Sequence, residues 1–167
     1  DLGIELSGYL IEELRDEERP RLRRLLAAAE ARAVPVVLDA DEVSLGLGRH
    51  SRCWDLRDVP HPDDVPWEEL GAIPVGLVTG TNGKTTTVRM LNHIARAAGV
   101  VGGVSSTDWL AVGEDVLERS DFAGPGGARR VLRDPRCELA ILETARGGLL
   151  RRGLALARAD AALITNI

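Results

Sequence analysis

The sequence predicts an α/β fold: a P-loop-type, mostly parallel sheet with helices on both faces, preceded by a small helical and αβ N-terminal segment. Two observations predict it. From Pro74 onward, short apolar runs alternate with stretches of helical character, the pattern of a parallel sheet whose crossovers are helices. A glycine loop, VTGTNGKTTT at 78–87, follows the first of those runs and opens the first of those helices.

The elements follow in order. Over 9–33, Leu10, Leu14, Leu22, Leu25, Leu26 and Ala29 recur at helical spacing with charge between them. Pro20 interrupts that pattern, so one long helix and two shorter ones stay equally open. VPVVLDA at 34–40 reads as a buried strand. Residues 41–72 read as irregular, because SLGLGRHS, RDVPHPDDVP and Gly71 carry turn and breaker residues. A boundary or linker is expected near 58–72. PVGLVTG is the strand before the glycine loop, and Thr85–Ala98 is a helix ended by Gly99. VVGGVSS is a second strand, and WLAVGEDVLE a hairpin turning at Gly113–Glu114. AGPGGARRVLRD is a loop and short helix, CELAILE a third core strand, ARGGLLRRGLALARA a loop and helix, and DAALITNI a fourth strand.

Composition narrows the function classes. Hydrophobic residues make up 44% of 167, enough for a core, and aromatics only 3%, so aliphatic side chains and alanine must pack it. A formal charge of −5 argues against a nucleic-acid partner, which needs a basic face. No apolar run reaches the ~20 residues that span a bilayer, and the acidic start DLGIEL is no basic leader. The expectation is therefore a cytoplasmic protein without membrane or nucleic-acid partner. Cys53 and Cys137 lie far apart and read as free thiols, and the scattered His50, His61 and His93 suggest no zinc site.

Of 21 basic residues, only Lys84 is lysine. A surface charge in such a chain drifts to arginine; a compact ammonium in a tight phosphate cradle does not. Around it, Gly80 and Gly83 let the backbone turn tightly and approach a phosphate. The amides at the helix start point at the anion, aided by the helix dipole. Thr85 offers a hydroxyl to magnesium. The candidate nucleotide-binding set is Thr79, Gly80, Thr81, Asn82, Gly83, Lys84, Thr85 and Thr86. The common P-loop has glycine six positions before the lysine, whereas this chain has Val78. Glu143 ends the strand CELAILE, where a carboxylate faces the ligand crevice of an open sheet and completes magnesium binding with Thr85. ARGG follows, setting Arg146 beside the same crevice to steady a phosphate or carboxylate.

VTGTNGKTTT, SSTDW, AGPGGARRVLRDPR, LETARGGLLRRGL and ADAALITNI together resemble the central, ATP-binding domain of the Mur ligase superfamily. Within it, ETARGG with a downstream TNI is most similar to the Mur-ligase-like half of the cyanophycin synthetases. The shorter GTNGKT loop is that superfamily's form. The resemblance covers about 74–167 and implies an ATP-dependent amide ligase. Such an enzyme uses ATP and Mg2+ to turn a carboxylate into an acyl phosphate, which an amino-acid amine then attacks. It implies catalytic roles for Lys84 and Arg146, magnesium at Thr85 and Glu143, and nucleotide contact at Asn166 beside Thr165. It further implies that Ser106, Thr107 and Asp108 form a loop near the metal and the acceptor substrate. The partners expected are a small-molecule or peptide substrate with a carboxylate, and an amino-acid amine donor. A homo-oligomer is compatible with the group.

In the family an Asp-His pair and a closing C-terminal domain follow the TN segment, and this chain stops at Ile167 before either. The expected organisation is thus an N-terminal helix-rich segment with linker at 1–70, read as the tail of a preceding module or a reduced domain. A central domain truncated at its C-terminal end occupies 71–167. The fragment alone is expected to bind nucleotide without completing a ligation. Two other classes stay open: a non-catalytic nucleotide-binding regulator or scaffold, and another P-loop phosphotransferase. No guanine-reading NKxD segment is present.

Overall fold

The computed structural model describes residues 20–166. It contains two sheets. The smaller is antiparallel, β1 (Val36–Leu38), β2 (Glu42–Leu45) and β3 (Arg52–Asp55), in sequential order. The larger has six strands: β4 (Val75–Thr79), β5 (Gly102–Ser105), β6 (Leu110–Val112), β7 (Asp115–Glu118), β8 (Leu139–Glu143) and β9 (Ala161–Ile164). Their order is β7-β6-β5-β8-β4-β9. Strands β5, β8, β4 and β9 run parallel, and β6 and β7 add an antiparallel hairpin at one edge. The α/β, mostly parallel architecture expected from the sequence is therefore present.

Among the described residues four helices accompany the sheets: α1 (Pro20–Ala31), α2 (Lys84–Ala97), α3 (Pro125–Arg133) and α4 (Arg146–Arg152). Side chains alternate across a pleated strand, and β8 shows why both sheet faces need cover. Ala140 and Leu142 join a core with Val131 and Leu132 of α3, while Ile141 joins Val88 of α2 on the opposite face. Gly103 of β5 lets α3 sit close, since a Cβ there would lie 2.6 Å from the Val131 side chain and from Cys137 Sγ. Among the described residues no helix is long and apolar enough to cross a membrane.

Pro20 begins α1, where its missing N–H costs nothing. Leu22, Leu25 and Ala29 are buried against Val43, Leu45, Val59 and Val65. Leu10 and Leu14, expected on the same face, lie outside the described residues.

Residues 41–72 correct the expectation of an irregular stretch. β2 and β3 form there, and Gly46 and Gly48 make the turn between them rather than breaking structure. Both have positive φ, and a Cβ on Gly46 would meet the His50 carbonyl oxygen at 2.0 Å. The strands were hidden because three consecutive residues of β2, Val43, Ser44 and Leu45, are all buried, which erases the period-2 signal. Two 3-10 turns, Pro62–Asp64 and Trp67–Glu69, follow. The two sheets are joined: Leu47 N–H donates to Gly71 O, Arg49 N–H donates to Cys137 O, and Val37 and Leu47 share the core of the larger sheet.

A second difference falls at ARGG. No loop precedes the helix there, because α4 starts at Arg146 itself with Ala145 as its extended cap. Its glycines sit inside the first turn.

Candidate active site

The chain leaves β4 over β8 to reach β5, and leaves β8 over β4 to reach β9. The crossovers thus depart in opposite directions from the adjacent pair β4 and β8. Such a switch point opens a crevice at the carboxyl ends of the strands. The loop after β4 carries 80–83, and Glu143 ends β8.

Gly80 (φ +131°) and Gly83 (φ +82°) occupy backbone regions that favour glycine. A Cβ on Gly80 would strike Thr165 Oγ1 at 2.2 Å. Gly83 is the left-handed N-cap of α2, and no side chain caps that helix start. The first-turn amides of α2, at Lys84, Thr85 and Thr86, are thereby left for an anion. Lys84 Nζ folds over the loop and donates to Thr81 O at 3.1 Å. Thr86 is exposed, and Thr79 Oγ1 crosses to β8's end, donating to Thr144 O at 2.7 Å.

Glu143 is buried, 1% exposed. Its Oε2 accepts from Thr85 Oγ1 at 3.1 Å and from Thr107 N–H at 3.3 Å, and the Thr85 and Thr107 hydroxyls lie 3.0 Å apart. Its Oε1 is buried without a hydrogen-bond partner among the described residues. An acceptor-only carboxylate oxygen in that position is costly unless something else fills its lone pairs. Two hydroxyls and a carboxylate are hard oxygen ligands that fit magnesium, and the nearby uncapped amides fit the phosphate oxygens beside it. Among the described residues no cluster of three or more His, Cys, Asp or Glu could hold a metal alone.

The expected SSTD loop divides. Thr107 joins the carboxylate cluster. Ser106 is buried and spends its hydroxyl on its own turn, accepting from the Asp108 and Trp109 amides and donating to Trp109 O. Asp108 pairs with Arg89 of α2 at 2.5 Å, and that guanidinium lies 4.7 Å over the Trp109 ring. Arg89 escaped sequence reading because one arginine among twenty carries no signal. The side chain of Arg146 lies outside the described residues; its backbone opens α4 just beyond Glu143.

Thr165 and Asn166 reach the loop from the end of β9. Asn166 Oδ1 accepts from the Thr81 and Asn82 amides, each at 2.9 Å. Thr165 Oγ1 contacts Asn82 O at 2.6 Å and Thr79 O at 3.2 Å.

An open α/β sheet with a glycine loop, an uncapped helix start and a buried carboxylate at its switch point defines a phosphate-loop protein. The pattern described as Mur ligase middle domain matches residues 78–167. The chain belongs to the Mur ligase family, whose middle domain it carries. It is 50% identical over 166 residues to a cyanophycin synthetase of Synechocystis sp., covering 99% of this chain and 18% of that protein. Over 110 residues it is 47% identical to the cyanophycin synthetase of Geminocystis herdmanii, covering 66% of this chain and 12% of that one. A UDP-N-acetylmuramoylalanine--D-glutamate ligase of Rubrobacter xylanophilus is 39% identical over 95 residues, 56% of this chain and 16% of its own length. The chain thus spans less than a fifth of the curated relatives it matches. The Synechocystis match takes in the small N-terminal sheet as well as the larger one.

Proposed function

We propose that this chain is the nucleotide-binding part of an ATP-dependent carboxylate–amine ligase. The observation that carries the reading is the meeting of the phosphate loop with the half-satisfied, buried Glu143 carboxylate, in a chain of the Mur ligase family. The ligase relatives favour it over a phosphotransferase or a non-catalytic scaffold.

In the proposed reaction the terminal phosphoryl group of ATP passes to a carboxylate oxygen of the first substrate, and ADP leaves. The amine nitrogen of the second substrate then attacks the acyl carbon, displaces phosphate and loses a proton to form the amide. Lys84 swings from Thr81 O onto the phosphates and neutralises charge on the transferring group. Gly83 and the uncapped first turn of α2, Lys84 to Thr86, present backbone amides to the polyphosphate. Thr85 and Glu143 hold magnesium, which when bound supplies charge neutralisation between the protein and the phosphates. Thr107 orients Glu143 through its amide. Arg146 is assigned to steadying a phosphate or the carboxylate substrate. Ser106 and Asp108 shape the Thr107 turn, with Arg89 anchoring it to α2.

The test is ADP release by the full-length protein with pairs of candidate carboxylates and amines, an aspartate–arginine peptide first. Release that requires both substrates is expected. ADP release at the same rate without the amine would count against amide synthesis.

A further inference from the structure

The ends of β4 and β9 lie side by side, pairing Thr79 with Ile164. Beyond that pair β9 continues into Thr165 and Asn166, and every polar group these two direct at the loop lands on loop backbone. The Thr165 amide donates to Thr79 O at 2.9 Å. Its hydroxyl reaches the Asn82 and Thr79 carbonyls, across the loop from each other. The Asn166 carboxamide oxygen takes two consecutive loop amides, Thr81 and Asn82. The fit is close enough that Gly80 has no room for a Cβ beside Thr165 Oγ1.

We propose that Thr165 and Asn166 are positioning residues that hold the phosphate loop in its binding shape before nucleotide arrives, acting through loop backbone rather than through the nucleoside. The proposal rests on the reading that this loop holds the phosphates of ATP. A glycine-rich loop left alone samples many conformations, and only the competent fraction binds, so apparent affinity falls with that fraction. The pair restricts the loop's first half, 79–82. It leaves Gly83 and the uncapped start of α2 open to the anion. An oxygen that merely competed with phosphate would take amides alone. The grip of Thr165 on two carbonyls, which no phosphate would bind, marks a brace instead.

The experiment compares two probes on the full-length protein, ATP and inorganic triphosphate, which has no base or ribose. Binding of each is measured by calorimetry for the wild type and for Asn166→Ala, Thr165→Val, Thr165→Ser and Lys84→Ala. The brace predicts that Asn166→Ala and Thr165→Val weaken both probes by the same factor, about tenfold, the size of one or two lost hydrogen bonds. Thr165→Ser keeps the hydroxyl and restores binding. Amide exchange at Thr81 and Asn82 in the ligand-free Asn166→Ala protein is expected to speed up, whatever its affinity. Loss of ATP binding with triphosphate unaffected would overturn the proposal in favour of a nucleoside contact. Tighter triphosphate binding in Asn166→Ala would make Asn166 a competitor and overturn it too, as would no change in either probe. If Lys84→Ala binds triphosphate like the wild type, the phosphate-loop reading itself fails and the brace with it.

Discussion

Lys84 and Glu143 carry the sharpest expectations at the scale of single residues. Lys84 Nζ donates one hydrogen bond among the described residues, to a loop carbonyl, and Lys84 is not one of the buried core residues. Lys84→Ala should therefore cut ATP turnover by roughly a hundredfold or more while leaving the thermal midpoint within a degree or two. Lys84→Arg should fail similarly, because a planar guanidinium is too wide for a loop closed by Thr165. Turnover assays beside a melting curve check both, and retained turnover would overturn the assignment. Glu143 differs in being buried with one oxygen committed to Thr85 and Thr107 and the other without a partner among the described residues. Glu143→Gln keeps its volume and removes its charge. It should raise the magnesium concentration needed for half-maximal ATP turnover about tenfold or more. An unchanged magnesium dependence would remove Glu143 from the metal site. The loop motif, the lone lysine and the strand-end glutamate were all legible in the sequence, since each shows as a residue type in a local context. That Thr107 belongs to the carboxylate cluster while Ser106 and Asp108 serve the turn was not. All three are polar neighbours in one loop, and which of them faces Glu143 depends on where the backbone aims each.

At the scale of elements, the glycines of the loop separate conformation from space. Gly83→Ala meets only ordinary contacts, the nearest at 3.8 Å, so its cost is the left-handed backbone, about 1–2 kcal/mol. Gly80→Ala meets Thr165 Oγ1 at 2.2 Å as well as an unfavourable φ. Gly80→Ala should thus lose more ATP affinity than Gly83→Ala, and the order of the two dissociation constants is the check. β4, β5, β8 and β9 could be found from apolar runs with flanking turns. β2 and β3 could not. Each is only four residues long, and Ser44 is buried because its hydroxyl donates to Val37 O and its oxygen accepts from Arg133 Nε. A polar residue satisfied by a partner 89 positions away looks like a surface residue in sequence.

At the scale of the molecule, Arg133 joins the two sheets. From the end of α3 it donates to Asp39 Oδ2 at 2.5 Å, Glu42 Oε2 at 3.0 Å, Val37 O, Glu42 O and Ser44 Oγ. Burial pushes the Asp39 carboxyl up, but Arg133 and the Asp41 and Glu42 amides outweigh it and hold it below its ordinary 3.8. A depressed carboxyl stabilises the fold above its unfolded value and loses that contribution as pH falls through the folded one. Arg133→Met should cost about 3 kcal/mol at neutral pH, because Asp39 is left partly buried and unpaired. Urea unfolding at pH 7 and pH 3 checks it: the difference between the two proteins should shrink at pH 3. Cys137 offers an independent probe of the same packing. Burial pushes its thiol up to about 12, whereas Cys53 is exposed. At pH 8 iodoacetamide should modify Cys53 in the native protein and reach Cys137 only after unfolding. The raised thiol contributes fully below pH 9 and is lost as pH rises from 9 towards 12, so alkaline unfolding is expected in that window.

The sequence by itself determined the α/β class, the phosphate loop with its lone lysine and the family to which 78–167 belongs. Those properties are written in local runs, where strand, glycine turn and helix start are neighbours along the chain. Only the tertiary structure decided that Glu143 buries one oxygen without a partner among the described residues, that Thr165 and Asn166 grip a loop more than 80 positions earlier, and that Arg133 ties one sheet to the other. Each depends on side chains distant in sequence that meet where parallel strands end together, and a one-dimensional pattern carries no record of which ends those are.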